Sequence, residues 1–488
     1  MTKSTLIPEP NLYFGNDGEN IDPKVGLISF GCYGRFSRGQ SEPLIIRAGF
    51  IGTKKSKQLL EVWLERLKHR IAGRVYSDNK REVDFPGLAL DSPLGFEVKL
   101  DDSCCQEIDE SAIENLKTKS RKERIVELVK IYDQKFKDLE GTTDPHPSLV
   151  FLPLSEQAVQ LCKDPLQVGN KIVYERKNAT EFGTDYPPLF DFHNAIKVIA
   201  YKHGAMVTQI IQPETMSFKS VGTSSEDPAT IAWNISVATY YKATGIPWKL
   251  SELEDTTCYI GLSFYKELNG SDFNMRASMA HVYLKTGESQ VIRGKPFRWD
   301  DNMGKTPSLT ASLAKEIIDD VLSLYKRQRA GSLPKRVVIH KTSPFTADEI
   351  GGFNESLKGV ELADYIHINE KNTVRLFPKS EEYPAIRGTL VYDKMKLLLY
   401  TTGYVPLLDT YKGASIPAPL ILDAYRLDSQ PEQVAKDVLA LTKLDWNNAY
   451  FNTRLPVTIS VSRKVSSVLS ESSAQDLKEP PTNYKFYM

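Results

Sequence analysis

The chain has 488 residues, 41% of them hydrophobic and 25% charged, which is the composition of folded domains and a length sufficient for about two to four of them. Basic and acidic residues both total 62, so the formal net charge of zero argues against a protein that coats nucleic acid through overall positive charge. The sequence has no signal-like N-terminus, no run of eighteen apolar residues and no Cys-x-x-Cys pair, and it therefore predicts a cytoplasmic protein without a membrane span, a disulfide framework or a zinc ribbon.

The first 145 residues predict short strands and turns followed by helices. Residues 25–30 and 43–49 have the apolar character of short strands. An amphipathic helix follows, with Ser56 as its predicted N-cap. The apolar face of this helix consists of Leu60, Trp63, Leu64, Leu67 and Ile71. Residues 107–138 alternate charged with apolar side chains and predict one or two partly exposed helices.

Strands and helices alternate regularly from residue 148 onward. The predicted elements are a buried strand at 148–154, a helix at 192–203, a strand at 206–211 and a helix at 230–241. This β-α-β-α order predicts a Rossmann-like parallel sheet.

A different order of elements begins after residue 250. Three strands are predicted in series, at 258–265, 277–284 and 290–297. They are followed by an amphipathic helix at 309–324, a strand at 336–340, a helix after Thr346, strands at 387–393, 396–401 and 418–422, and a helix at 431–442. We therefore expect an α/β protein with two parts. Residues 1–250 contain an N-terminal segment and a Rossmann-like domain with its core at about 146–250, and residues 251–488 form a second domain.

Four polar side chains of the first part can bind a compact anion. His193 and Lys197 are four residues apart and project from the same face of one helix. Gln209 lies on the following strand, and Lys242 lies near the end of the next helix. A phosphate dianion requires cations, neutral donors and helix N-terminal amides that converge on it. We expect the four side chains to meet at one edge of the sheet, although a lysine in the position of Lys242, taken alone, is more often a cation that caps a helix C-terminus.

In order and spacing, this part of the sequence resembles the MID domain of Argonaute proteins. The segments that carry the resemblance are Phe192-His-Asn-Ala-Ile-Lys197, Val207-Thr-Gln209-Ile-Ile and Tyr241-Lys242-Ala-Thr-Gly245-Ile-Pro-Trp. The resemblance implies that His193 stacks on the first base of a guide strand or donates to its 5′-phosphate. It also implies that Lys197, Gln209 and Lys242 hold that phosphate.

The same resemblance extends the predicted site in two ways. Many Argonautes have a further lysine where this chain has Ala238, so one cation of the family pattern is missing. In this family the C-terminal carboxylate often reaches the phosphate site and helps to hold a magnesium ion. Here the resemblance assigns that role to Met488, and simple packing of the apolar ending is the alternative.

The second part resembles the RNase H-like PIWI domain. In an active PIWI domain, one aspartate follows the Ile-Gly pair of the first strand and a second follows an Ile-Val-Ile-Tyr-Arg strand. The matching segments are Tyr259-Ile-Gly261-Leu-Ser263 and Val337-Val-Ile-His340-Lys341-Thr342. Ser263 and Thr342 thus stand at the aspartate positions, and neutral hydroxyls cannot hold the two metal ions of such a nuclease. We therefore expect an inactive PIWI domain without catalytic residues.

The resemblance covers nearly the whole chain and leaves no room for separate N and PAZ domains, which is typical of short prokaryotic Argonautes. Members generally work with a partner that carries an APAZ region fused to an effector, commonly a TIR or sirtuin-like NADase. The resemblance implies a recognition subunit that binds a guide, RNA rather than DNA by family expectation, and pairs it with single-stranded DNA of a plasmid or phage. The resemblance also implies that this recognition subunit then activates the effector in antiviral defence and does not itself cleave the target. An active guide-directed nuclease with displaced carboxylates and a protein-interaction module without nucleic acid remain open alternatives.

Overall fold

The computed structural model describes residues 2–36, 44–75, 82–142, 146–162, 166–168, 171–173, 191–217, 226–243, 245–251, 256–266, 274–282, 289–299, 306–377, 384–409, 411, 415–471 and 481–488. These residues form sheets of nine, four, three and two strands, and helices cover both larger sheets. The predicted α/β class is therefore confirmed. No helix within these residues is long and apolar enough to cross a membrane.

The N-terminal segment contains a helix where the sequence predicted a strand. Its elements are β1 (Lys3–Leu6), β2 (Leu12–Tyr13), β3 (Glu19–Asn20), α1 (Pro23–Phe30) and α2 (Tyr33–Phe36). Residues 25–30 lie in α1, so the prediction of a strand there was wrong. The Asp22 carboxylate accepts hydrogen bonds from the backbone N–H groups of Lys24 and Val25 at 2.8 and 3.1 Å. An aspartate N-cap followed by proline is a strong helix-start signal, and it outweighs the apolar character of the segment.

Four parallel strands form the smaller of the two main sheets. The elements of this part are β4 (Leu44–Gly52), α3 (Lys54–Leu67), β5 (Phe96–Glu107), α4 (Glu110–Glu114), α5 (Arg121–Thr142), β6 (Leu149–Pro153), α6 (Glu156–Cys162), β7 (Leu166–Val168), β8 (Lys171–Val173), α7 (Phe192–Lys202), β9 (Thr208–Ile211), α8 (Pro213–Ser217) and α9 (Pro228–Ala243). The strand order is β5-β4-β6-β9, and every pair is parallel. All five residues of β6 are buried, as expected for a central strand that is covered on both faces.

Two features of this sheet differ from the sequence analysis. Its strands β4 and β5 precede residue 146, so the sheet extends well before the predicted core at 146–250. Helix α3 is capped by Thr53, whose hydroxyl accepts a hydrogen bond from the Ser56 N–H at 3.2 Å, and Ser56 is therefore not the N-cap. The sequence signal was ambiguous because Thr53 and Ser56 are both suitable N-cap residues.

The larger sheet has nine strands. Its part of the chain contains β10 (Lys249–Leu250), β11 (Thr257–Lys266), β12 (Asn274–Val282), β13 (Ser289–Arg298), α10 (Ala311–Gln328), β14 (Arg336–Lys341), α11 (Ala347–Ser356), β15 (Leu362–Asn369), β16 (Thr389–Asp393), β17 (Lys396–Leu399), β18 (Leu420–Leu427), α12 (Pro431–Leu441) and α13 (Val457–Ser470). The order is β1-β16-β17-β18-β15-β14-β11-β12-β13. Strands β11, β12 and β13 are antiparallel neighbours, and β14 is parallel to β11.

One strand of this sheet, and the pairing of another, were not foreseen. Strand β15 pairs in parallel with β14, although the sequence analysis assigned no strand to residues 362–369. Strand β1 pairs with β16, so the N-terminus contributes to a sheet that otherwise comes from residues after 250. The predicted domain boundary at residue 250 stays a prediction. Strand β1 precedes this boundary and pairs with a strand that follows it.

Helix α13 packs unusually close to β11 and connects the two sheets. A Cβ atom at Gly261 would lie 1.8 Å from the carbonyl oxygen of Thr458 in α13, so only glycine allows this approach. At the other end of α13, the Glu471 carboxylate accepts a hydrogen bond from the Asp191 N–H at 2.8 Å, immediately before α7. Helix α13 therefore fixes α7 relative to the nine-stranded sheet.

We predict that Gly261→Ala destabilises the protein by about 3 kcal/mol or more, because the added methyl group meets backbone that cannot move without displacing α13. Gly351→Ala is the matched control, since Gly351 lies in α11 with no atom near its Cβ position. Alanine at this control site should be neutral or slightly stabilising. Urea unfolding of both variants measures the difference, and equal midpoints would contradict the close packing of α13 on β11.

Candidate anion-binding site

Lys197 is a buried cation in the second turn of α7. Only 4% of its surface is exposed, and its ammonium group donates a hydrogen bond to the main-chain oxygen of Met488. Two N-terminal amides of α7 are already used, because the Asp191 carboxylate accepts hydrogen bonds from the N–H groups of His193 and Asn194 at 3.0 and 3.4 Å. The side chains of the site are therefore the main donors for an anion.

Lys242 and Gln209 form a second, adjoining part of the site. Lys242 lies near the end of α9 and is 2% exposed. Its ammonium group donates to the side-chain oxygen of Gln209 at 2.6 Å and to the carbonyl oxygen of Thr208 at 3.0 Å. These contacts show that Lys242 does more than cap its own helix, because both acceptors belong to β9.

Lys464 is a third cation that the sequence analysis missed. It lies half-buried on α13 and interacts electrostatically with both Lys197 and Lys242. Asp445 and Asp191 partly offset its charge. Residue 464 is more than two hundred positions from the other lysines, and no spacing rule connects them. It stands near the site because α13 packs against α7.

His193 lies at the border of the site as a neutral ring. Burial, together with the neighbouring charges of Lys197 and Lys464, lowers the pKa of His193 to about 3, against the raising effect of the Asn194 and Asp191 contacts. The ring is therefore uncharged at physiological pH. A neutral ring can stack on a base or donate one N–H, and the role of His193 in guide binding stays a prediction.

The three lysines make the empty site electrostatically unfavourable. Burial lowers the pKa of Lys197 well below its usual value, and Lys242 and Lys464 lower it further. Burial also lowers the pKa of Lys242 to about 7, with Lys464 as the second cause. Removing a lysine from water disfavours its charged form, and like charges add to this effect. A bound dianion would reverse both effects, so the arrangement is suited to a compact anion such as a phosphate monoester.

The structure brings together four of the five predicted site residues. Two pairs are in direct contact, Lys197 with Met488 and Lys242 with Gln209, and the two pairs adjoin each other. His193 adjoins them through its interaction with Lys197. Their role in phosphate binding stays a prediction. Ala238, where the family pattern has a lysine, is buried in α9, and Lys464 from the distant helix α13 is the third lysine of the site.

Solved structures of other proteins share this architecture. Clostridium butyricum Argonaute, bound to a guide DNA and a 19-mer target DNA, matches with a TM-score of 0.65 and 17% identity over 96% of this chain and 53% of that protein. The chain has an Argonaute fold. A. aeolicus Argonaute and Drosophila Piwi each match with a TM-score of 0.56 and 15% identity over 99% of this chain, and over 54% and 56% of their own chains. The chain thus spans about half the length of these proteins. No protein-family model and no curated protein sequence matches it.

Within this Argonaute fold, Ser263 lies on β11, and Thr342 directly follows β14, the parallel neighbour of that strand. Leu262 of β11 is paired with Lys341 of β14, and Ser263 and Thr342 are the residues that directly follow these two. The Ser263 hydroxyl donates to the carbonyl oxygen of Ser462 at 2.9 Å and lies 2.6 Å from the Ser466 hydroxyl. Across the described parts of the chain, no group of three or more His, Cys, Asp or Glu side chains is arranged to hold a metal ion. The absence of cutting activity stays a prediction.

We predict that anion binding takes up a proton at Lys242. The pKa of about 7 lies below the usual value of a lysine, so above pH 7 the empty site holds mainly neutral Lys242, and a bound dianion restores its charge. At pH 8.5 a phosphate monoester is already a dianion, because its second pKa is about 6. Affinity should therefore fall as the pH rises from 7.5 to 8.5.

Isothermal titration of a 5′-phosphorylated dinucleotide in buffers of different ionisation enthalpy counts the protons taken up. Lys242→Arg keeps its charge at pH 8.5 and should take up about one proton fewer than the wild type. Identical proton counts for the two proteins would show that Lys242 is already charged in the empty site.

Proposed function

We propose that this chain binds the phosphorylated 5′ end of a guide strand at the anion site. The observation that carries the proposal is the convergence of Lys197, Lys242 and Lys464 at the junction of two sheets, beside the Gln209 amide. Clostridium butyricum Argonaute, which shares the fold, is bound to a guide and a target DNA. Likeness of fold is an analogy for function, so the argument depends on the charges and donors of the site itself.

The charge of the site favours a terminal phosphate over the phosphates within a strand. A phosphate monoester carries about −1.5 to −2 charges at pH 7, whereas an internal phosphate carries only one. Each buried lysine regains its proton more readily beside the larger charge. The Gln209 amide adds a neutral donor, and the uncharged His193 ring is suited to stack on the first base. Base pairing by the rest of the guide would then select the target without any base-reading side chain.

We also propose that a magnesium ion binds at this site, with ligands from both the protein and the phosphate. Mg²⁺ usually keeps several waters and takes one or two carboxylates together with the phosphates of its ligand. At the site, the main-chain oxygen of Met488 and the side-chain oxygen of Gln209 both accept hydrogen bonds from lysines. These residues fit an ion that arrives with the phosphate, and the three lysines disfavour one that binds earlier. Met488 would be its protein ligand, and the ion would neutralise part of the phosphate charge.

We further propose that the chain is a short prokaryotic Argonaute made of a Rossmann-like MID domain and an RNase H-like PIWI domain. The parallel four-stranded sheet supports the first assignment. The order of three antiparallel strands followed by the parallel strand β14 supports the second. In this proposal the protein acts in the cytoplasm, with a guide RNA that pairs with single-stranded DNA of an invading plasmid or phage.

Recognition without cutting requires a second protein to act. The hydroxyl groups of Ser263 and Ser466 supply no negative charge for the metal ions of a nuclease, which supports a silent PIWI domain. We propose that an APAZ-containing partner with a TIR or sirtuin-like NADase carries the response, and that guide–target pairing on this chain activates it.

The phosphate assignment predicts that the protein binds a short RNA with a 5′-phosphate at least about 100-fold tighter than the same RNA with a 5′-hydroxyl, which corresponds to about 2.8 kcal/mol. The double variant Lys197→Met with Lys242→Met should lower this preference to less than about threefold. Methionine removes the charge but keeps most of the volume, and replacing buried charges by apolar groups often leaves a fold intact. Fluorescence anisotropy with labelled RNA measures both affinities.

The matched control is Lys117→Met with Lys130→Met, which removes the same charge from exposed surface positions. It should leave the phosphate preference unchanged. A double variant at 197 and 242 that folds and still prefers the 5′-phosphate would overturn the assignment. A wild-type protein without any preference would favour the interaction-module alternative.

If this chain only recognises the target and its partner carries the response, the guide-loaded protein should leave a complementary labelled DNA intact in magnesium or manganese. The same mixture should consume NAD only after the APAZ partner has been added. Electrophoresis detects any cleavage of the DNA, and a fluorometric assay measures the consumption of NAD. Metal-dependent cleavage by the purified chain would instead establish a nuclease with displaced carboxylates. Target-independent NAD loss would contradict activation by pairing.

A further inference from the structure

The two most buried lysines of the anion site have few N–H donors left for a ligand. An ammonium group has three N–H donors. Lys197 uses one on the main-chain oxygen of Met488, and Lys242 uses two on the Thr208 carbonyl oxygen and the Gln209 side chain. Among the described contacts, two N–H groups of Lys197 and one of Lys242 then have no acceptor. These donors match the three terminal oxygens of a single phosphate monoester.

Residues 481–488, here called the C-terminal segment, enclose one side of the site. The Phe486 ring packs edge-on against Tyr201 of α7, with ring centroids 6.0 Å apart. At its other end, the segment accepts a hydrogen bond from the Val291 N–H of β13 at the carbonyl oxygen of Thr482, at 2.6 Å. Three of its side chains are buried, those of Tyr484, Tyr487 and Met488. Protein therefore fills the space beside the Lys197 ammonium group on the side of this segment.

Asp445 places a negative charge next to the C-terminal segment. Its carboxylate interacts electrostatically with Lys464 of the anion site and with Tyr484 of the segment. The two carboxylate oxygens accept hydrogen bonds from the Asn447 N–H at 3.1 Å and from the Asn448 side chain at 3.0 Å, which hold the carboxylate in position. It partly balances the charge of Lys464, and it repels any negative charge that extends from the anion site toward the segment.

A 5′-monophosphate and a 5′-triphosphate differ on the side that faces the protein. Lys197 and Lys242 are only 4% and 2% exposed, so the bond from phosphorus to the ribose must lead outward and the terminal oxygens inward. A monophosphate offers three terminal oxygens to the lysines. A triphosphate uses one of these oxygens to carry two further phosphates, which add about two negative charges. The added phosphates would have to enter the region occupied by Met488 and Asp445.

We propose that the anion site is specific for a terminal monophosphate and rejects a 5′-diphosphate or 5′-triphosphate, because the C-terminal segment blocks a second phosphate and Asp445 repels it. This inference rests on the proposed function, since it requires the 5′ end of a strand to bind at Lys197 and Lys242. The chemical state of the 5′ end then decides which strands can serve as guides.

This specificity defines the class of reaction that must supply the guide. An RNA begun by a polymerase carries a 5′-triphosphate and would be rejected, so a hydrolase must act on it first. Water can break the P–O3′ bond of an internal phosphodiester, which leaves a 3′-hydroxyl on one fragment and a 5′-monophosphate on the other. Water can instead break the anhydride bond beside the first phosphorus, which releases pyrophosphate and leaves the same 5′-monophosphate.

Binding of one RNA sequence with four different 5′ ends tests the specificity. Fluorescence anisotropy with the full chain gives the Kd of the 5′-hydroxyl, monophosphate, diphosphate and triphosphate forms in the same magnesium buffer. The triphosphate should bind at least about tenfold more weakly than the monophosphate, and a smaller difference overturns the proposal. Most of the loss should already appear with the diphosphate, because its second phosphate meets the C-terminal segment. A loss that appears only with the third phosphate contradicts blocking by this segment.

A charge variant tests the repulsion separately. Asp445→Asn removes the negative charge at nearly constant volume, and it should reduce the ratio of the triphosphate Kd to the monophosphate Kd by about threefold or more. Glu114→Gln is the control, because it removes a carboxylate from an exposed pair with Lys117 and should leave the ratio unchanged. An unchanged ratio in folded Asp445→Asn protein rejects the role of Asp445. If this variant does not fold, the wild-type series still decides whether the site is specific.

The outcomes separate this inference from the function on which it rests. Equal affinity for the 5′-hydroxyl and the 5′-monophosphate means that no phosphate site exists, and both proposals are then wrong. A clear preference for the monophosphate over the hydroxyl, together with equally tight binding of the triphosphate, leaves the phosphate site in place and rejects the specificity alone.

Discussion

The close approach of α13 to β11 is the contact on which the arrangement of this protein depends. Gly261 allows the backbone of Thr458 to reach a distance that any side chain would prevent. The same helix then carries Lys464 to the junction and contacts α7 through the Glu471–Asp191 hydrogen bond. Since α7 holds Lys197, the geometry of the anion site depends on how one helix packs against a strand of the other sheet. A small backbone change at Gly261 would therefore reach the anion site through α13.

Burial of several lysines together is costly, and the protein offsets the cost only in part. Lys197 is satisfied by the oxygen of Met488, and Lys242 by Gln209 and Thr208. Asp445 and Asp191 partly balance Lys464, but its charge still lowers the pKa of both other lysines. Structural ion pairs are normally matched in charge, and an excess of buried positive charge with lowered pKa values is more typical of a binding site than of a folding core. The acceptors now in contact with the lysines are the groups that an anion must displace or join.

The segment around Ser263 has a different balance of charge. Its hydroxyl is paired with Ser462 and Ser466 of α13, so the polar groups there satisfy one another without any net charge. Nearby, the buried His340 ring is paired with Thr458 through the atoms Nδ1 and Oγ1 at 2.8 Å, and burial lowers the pKa of this histidine to about 3. This end of β11 therefore serves to hold α13. In the proposed function, the anion site serves recognition and this region serves packing.

The sequence by itself determined the α/β class, most helices and strands, and the residue types of the anion site. Helical spacing put His193 and Lys197 on one face, and the alternation of elements put Gln209 and Lys242 on the next strand and helix, because such patterns are local. It misassigned residues 25–30, where a short capping signal competes with apolar character, and it missed β15. Only the tertiary structure decided that Lys464 joins the site, that β1 pairs with β16, and that residues 481–488 contact both Lys197 and Val291. These contacts join residues far apart in sequence, and the packing of buried surfaces, which no local pattern records, brings them together.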